Sequence, residues 1–113
     1  MAEKIIYAIS DSLGETAEAV ARATASQYDK EQIEIVRVPY IDSESQIDEV
    51  IDDAKRGNHV ICHTIVSVSL RKYLHEKVAE YNIPAVDIMG PVLDAVGTIA
   101  TTKPRMTAGM VHK

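Results

Sequence analysis

Cysteine is almost missing from this 113-residue chain, occurring once, as Cys62. A single thiol excludes an intrachain disulfide and a zinc cage built from cysteines. No apolar run approaches the ~18 residues needed to span a bilayer, so no membrane role is expected. Positive charge is also in deficit, with a net charge of -5, which argues against nonspecific binding to nucleic acid. No glycine is followed by lysine, which removes the phosphate loop G-x-x-x-x-G-K-[ST]. Nor does G-x-G-x-x-G occur, so the dinucleotide fingerprint fails too. Internal repeats and low-complexity tracts are absent.

What is present is a globular composition, 46% hydrophobic and 26% charged, of a size that forms one domain. The start, Met-Ala-Glu-Lys-Ile-Ile-Tyr, enters a strand-like run without a signal-peptide pattern, so a cytoplasmic location is expected. Lys4–Ser10 reads as a first strand. Ala17, Val20, Ala21, Thr24, Ala25 and Tyr28 then recur at helical spacing. Ile33–Pro39 is a second strand. Ser43 with Gln46 predicts a capping box for a second helix, whose stripe is Ile47, Val50, Ile51 and Ala54 and whose stop is Gly57-Asn58. His59–Thr64 is a third strand, buried enough to hold Cys62 and His63 as core residues. Leu70, Tyr73, Leu74, Val78 and Tyr81 mark a third helix, with His75 on its exposed side. Ala85–Met89 is a short fourth strand, and Gly90-Pro91 opens a fourth helix carrying Val92, Leu93, Val96 and Ile99.

Strands alternating with helices in this way predict an α/β fold. Its core is a doubly wound parallel sheet of about four strands, in the order 2-1-3-4, with helices on both faces. Residues 1–100 form this domain, and 101–113 have the composition of a linker. Lys103, Arg105 and Lys113 give that tail a basic character beside an otherwise acidic body. It reads as a solvated terminus.

Ligands of such sheets bind beyond the carboxyl ends of the strands. Four segments are expected to meet there: Ser10–Thr16, Pro39–Ser43, Thr64–Ser69 and Met89–Pro91. In the first, Ser10, Asp11, Ser12, Gly14, Glu15 and Thr16 join strand to helix with several hydroxyls and one glycine. Free amides and the dipole at a helix start favour an anion such as phosphate. Ser12 and Glu15 also have the S-x-x-E spacing of a capping box, in which case they serve only the backbone. Ser67 and Ser69 with Arg71-Lys72 read mainly as a cap followed by surface charge. No pair of histidines and carboxylates has metal-ligand spacing, and strand three closes on His63-Thr64 rather than on the aspartate of a receiver domain.

The stretch Ile6-Tyr7-Ala8-Ile9-Ser10-Asp11-Ser12-Leu13-Gly14-Glu15-Thr16-Ala17-Glu18 resembles the opening signature of the pyruvate, phosphate dikinase regulatory proteins, a kinase/pyrophosphorylase family. The resemblance continues in Arg37-Val38-Pro39-Tyr40, Ile61–Ile65, Leu70-Arg71-Lys72-Tyr73-Leu74 and Asp87-Ile88-Met89-Gly90-Pro91. It reaches Lys103-Pro104 and Gly109-Met110-Val111.

The resemblance implies a bifunctional regulator of pyruvate, phosphate dikinase or, in related members, phosphoenolpyruvate synthase. Such proteins phosphorylate a target threonine from ADP while the target's catalytic histidine carries a phosphoryl group. They remove the phosphate with inorganic phosphate, releasing pyrophosphate. The family's lysine-bearing phosphate loop belongs to a second domain after the linker, so no catalytic residue and no cofactor is assigned to this chain. ADP and phosphate are implied for the whole protein only, and the piece alone is expected to be inactive. Partners expected are the target enzyme and the second domain, with a homo-oligomer left open. Two other readings of the residues stand beside it: a flavodoxin-like phosphate or FMN module, and a purely structural or dimerising domain.

Overall fold

The computed structural model describes residues 4–110. Eight elements follow one another: β1 (Lys4–Ile9), α1 (Glu15–Ala25), β2 (Ile33–Val38), α2 (Glu44–Ala54), β3 (His59–His63), α3 (Val68–Glu80), β4 (Ala85–Asp87) and α4 (Met89–Gly97). All pairings are parallel and the strand order is β2-β1-β3-β4, as the βαβ pattern predicts. The registers put Ile9 opposite Val38 on one side and His63 on the other, so the carboxyl ends of the three strands are level.

The alternation of β1 divides the core in two. Ile5, Tyr7 and Ile9 point to the face covered by α2 and α3, where Ile47, Val50, Ile51, Ile61, Leu74 and Ile83 complete a large aliphatic cluster. Ala8 points to the other face and meets Ala17 and Ala21 of α1 and Cys62 of β3, a much smaller cluster. Burial pushes the Cys62 thiol up in pKa, and its Sγ faces the Ala17 carbonyl at 3.7 Å.

Helix α2 matches its pattern fully. Ser43 and Gln46 form the capping box, and all four stripe residues are buried. Gly57 and Asn58 both take positive φ, which is how the chain reverses into β3. Two other stripes differ from expectation. Helix α1 stops at Ala25 and meets the sheet through Ala17 and Ala21, while Val20 and Tyr28 are exposed. The narrow alanine seam rotates the helix so that the larger side chains fall outside it. Helix α4 leaves Val92, Val96 and Ile99 exposed instead of burying them. Residues 98–110 form no strand or α-helix. Of the expected basic tail, Lys103 and Arg105 are exposed and Lys113 lies outside the described residues, as does Val111. Among the described residues, no helix is long and apolar enough to cross a membrane.

Candidate functional site

The chain leaves β1 for α1 on one face and leaves β3 for α3 on the other, so a crevice opens between their carboxyl ends. The Ser10–Gly14 loop lies in it and is tied down from three sides. Ser10 is buried, and its Oγ accepts from the Ser12 amide (3.0 Å) and from Thr64 Oγ1 (2.9 Å). Asp11 Oδ2 accepts from the amides of Val66 (3.0 Å) and Ser67 (2.9 Å), which fixes the loop to the start of α3. Its other oxygen, Oδ1, is buried without a hydrogen-bond partner. From the β2 side, the Tyr40 and Ile41 amides donate to the carbonyls of Ser12 (2.8 Å) and Ser10 (3.0 Å). Tyr40 holds φ at 57° to do so, an unusual state for a residue with a side chain.

The capping-box alternative for Ser12 and Glu15 is not what forms. Gly14 is the N-cap residue of α1, at φ 85°, and no side chain caps the helix. Glu15 is therefore the first helical residue, two positions before the N3 place a capping box needs, and Ser12 lies two residues before the N-cap. A left-handed glycine cannot be read from S-x-x-E spacing alone. Arg37 secures the turn, donating through Nε (2.7 Å) and Nη2 to the Leu13 carbonyl. A Cβ added at Gly14 would sit 3.2 Å from Arg37 Nε. Gly14→Ala is thus expected to cost about 1–2 kcal/mol, from left-handed strain plus the displaced guanidinium. Urea denaturation of the variant checks this; unchanged stability would mean that the turn relaxes freely.

All six residues singled out in this loop, Ser10, Asp11, Ser12, Gly14, Glu15 and Thr16, line one groove of roughly 280 Å³. Thr64, Val66 and Met89 complete it from the sheet side, and Thr107–Met110 closes it from outside the expected segments. Gly109 lies against the loop, with the place of a Cβ only 3.3 Å from Ser12 Oγ. The groove offers uncapped helix amides and hydroxyls to an anion. It has no lysine, arginine or aromatic side chain among its lining residues, so nothing there would neutralise a phosphoryl group in transfer or stack on a flavin. A larger groove of roughly 680 Å³ lies at the opposite end of the sheet, beside His59, between apolar residues such as Ile5, Ile33 and Ile83.

Next to the crevice is a cluster that linear spacing did not reveal. His75 is half-buried rather than exposed on α3, and its Nε2 lies 2.9 Å from Nε2 of the buried His63. The Ile65 amide donates to His63 Nδ1 (3.1 Å), so the neutral ring carries its proton on Nε2 and donates it to His75. Burial, followed by the neighbouring His75 and Arg71 charges, outweighs the pull of Asp87 and lowers the His63 pKa to about 4. Asp87 is itself bound by Arg71 Nε (2.7 Å) and by the Gly90 amide (2.8 Å). Although burial alone would raise its carboxyl, those two donors hold it below the ordinary carboxylate value.

One donor atom each from His63, His75 and Asp87 falls within 4.8 Å of the others, close enough to suggest a metal centre. The hydrogen bonds say otherwise. A ligating His normally donates its second nitrogen, whereas His63 Nδ1 accepts, and Asp87 Oδ2 is already engaged by Arg71. The cluster is two hydrogen-bonded pairs, His63–His75 and Arg71–Asp87, set against each other across β3, α3 and β4, with His75 Nε2 3.8 Å from Asp87 Oδ2. The same engagement takes Arg71 out of the second candidate anion site, where the Ser67 amide is likewise used by Asp11.

Comparison with known proteins gives a consistent picture. The family model described as kinase/pyrophosphorylase matches residues 6–113. A pyruvate, phosphate dikinase regulatory protein of Alkaliphilus metalliredigens (strain QYMF) is 45% identical over 109 residues, covering 96% of this chain and 39% of the relative. A protein of the same name from Staphylococcus aureus is 46% identical over 112 residues, 97% of this chain and 41% of the relative. Another, from Halalkalibacterium halodurans, is 40% identical over 109 residues, 96% of this chain and 40% of its own length. The chain thus spans about two fifths of the length of these relatives.

Proposed function

We propose, because this chain belongs to the kinase/pyrophosphorylase family, that it is the amino-terminal part of a dikinase regulator and lends the Ser10–Thr16 loop to a phosphate-handling site. The whole protein would phosphorylate a threonine of pyruvate, phosphate dikinase, or of phosphoenolpyruvate synthase, from ADP. It would reverse that modification with phosphate, in the cytoplasm where such a target works. Residues 1–100 are the domain in this reading, and 101–113 begin the connection to a nucleotide-binding part.

The observation that carries the proposal is the uncapped start of α1 at the sheet's switch point, presented by a loop fixed on three sides. Helix amides and the macrodipole hold an anion in place without contributing a mobile cation. Phosphoryl transfer needs more than that, because charge spreads over the transferring group and must be neutralised. Asp11 and Glu15 beside the groove make the local field less favourable still. Residues 1–113 therefore position an anion, while the cation that activates it comes from the remaining length of the regulator.

Titration of residues 1–113 with phosphate, pyrophosphate and ADP, followed by amide chemical shifts, tests the binding step. Shifts centred on Gly14–Thr16 at millimolar ligand are expected, with no transferase activity from this piece alone. Silence at those amides would favour a purely structural loop. Full phosphoryl transfer by residues 1–113 would end the proposed division of labour.

A further inference from the structure

Helix α4 half-buries Met89 and Leu93 but leaves its other large apolar side chains uncovered. Of its nine residues only Gly90 is buried. Val92, Val96 and, just past the helix, Ile99 follow one another at i, i+4 and i+7 and are 58%, 49% and 81% exposed. Val86, on the open edge strand beside it, is exposed as well. A helix this short is not stable by itself in water, where fewer than ~12–15 residues are marginal. Its first turn is anchored through Asp87 and the Gly90 amide, but the following turns have no comparable hold among the described residues.

We propose that the Val92–Val96–Ile99 face of α4 is the docking surface for the polypeptide that follows residue 113 in the full-length regulator. The relatives are long enough to supply it, since this chain spans only 39% and 41% of two of them. Size selects a tethered occupant over a free one. A stable interface between separate chains buries at least ~1,200 Å² in total, well beyond what one stripe of three side chains and an edge valine offers. A segment joined through residues 98–113 is held at a local concentration in about the millimolar range, so a small contact suffices. Asp94 is the only charged residue on α4, so the matching surface is apolar at its centre. The inference rests on the relatives' length and on α4, not on ligand binding at Ser10–Thr16, and either can fail without the other.

Hydrogen exchange on the full-length protein and on residues 1–113 tests it. Amides of Val92–Ile99 are expected to exchange at least tenfold more slowly in the full-length chain. Val96→Asp should abolish that difference and leave the β1 and β3 amides unchanged. Equal exchange in the two forms would overturn the proposal. So would protection of α4 in residues 1–113 that rises with concentration alongside a dimer mass in sedimentation, because a second copy would then be the occupant.

Discussion

Gly90→Ala should destabilise the domain by about 2–4 kcal/mol, as overpacking and a disrupted, largely desolvated ion pair together cost in other proteins. A Cβ at this position would lie 2.2 Å from both Arg71 Nη2 and Asp87 Oδ2. Neither atom can simply move aside. Asp87 is held by its Oδ1 bond to the Gly90 amide, and Arg71 is packed against it with 27% of its side chain exposed. The substitution would separate α3 from the β4–α4 corner and loosen the His63–His75 contact behind it. Gly97→Ala, on the same helix, is the matched control. Nothing lies within 4 Å of its added Cβ, so the change should be neutral or stabilise by up to about 1 kcal/mol through helix propensity. Equilibrium urea curves for the two variants decide the matter, and similar effects at both positions would refute the steric account.

Stability should also fall steeply in mild acid, and His63 is the main reason. In the unfolded chain its imidazole binds a proton near pH 6.5, but in the folded domain only near about 4. Between those values the unfolded state carries more protons, so stability is complete above pH 6.5 and is lost as the pH drops through the window. At 1.36 kcal/mol per pKa unit the loss is about 3 kcal/mol. Asp87 acts in the same direction at lower pH. Its folded pKa lies below the ordinary 3.8, so its contribution holds above that value and disappears beneath it. Urea midpoints measured from pH 7 to pH 4 should show the slope, and His63→Gln should flatten most of it. An unchanged slope in the variant would assign the acid sensitivity to other groups.

Much of this architecture is legible in the sequence because periodicity and punctuation agree. Ile47, Val50, Ile51 and Ala54 lie on one helical face between a capping box and a Gly-Asn stop, and the structure keeps every part of that pattern. The parallel order of the strands follows from helices long enough to cross over between them. The site is legible only in outline. Ser10–Thr16 is where the topology requires it, but the residue that starts the helix is decided by Gly14 taking a left-handed turn that Arg37 secures at the Leu13 carbonyl, a contact spanning 24 positions. Pairing of His63 with His75, and of both with Asp87, depends on how α3 lies against the edge of the sheet. No local spacing encodes that. The return of Thr107–Met110 onto the loop was equally hidden, since its Thr, Ala and Gly have the composition of a connector.

The two faces of the sheet are unequal in a way that bears on motion. Isoleucines and a leucine fasten α2 and α3, each large aliphatic side chain contributing about 1.5–3 kcal/mol on burial, whereas α1 rests on a buried seam of alanines and one thiol, with Ile6 and Ile35 only partly buried beside it. Lifting α1 from the sheet is therefore less costly than lifting α2 or α3, a local unfolding event well below the global one. Of the three helices that pack on the sheet through buried side chains of their own stripe, the one that opens most easily is the one whose first turn faces the groove. An anion bound there would raise the free energy of that opening along the whole of α1, so occupancy would register as slowed exchange down to Ala25, well beyond the residues that touch the ligand.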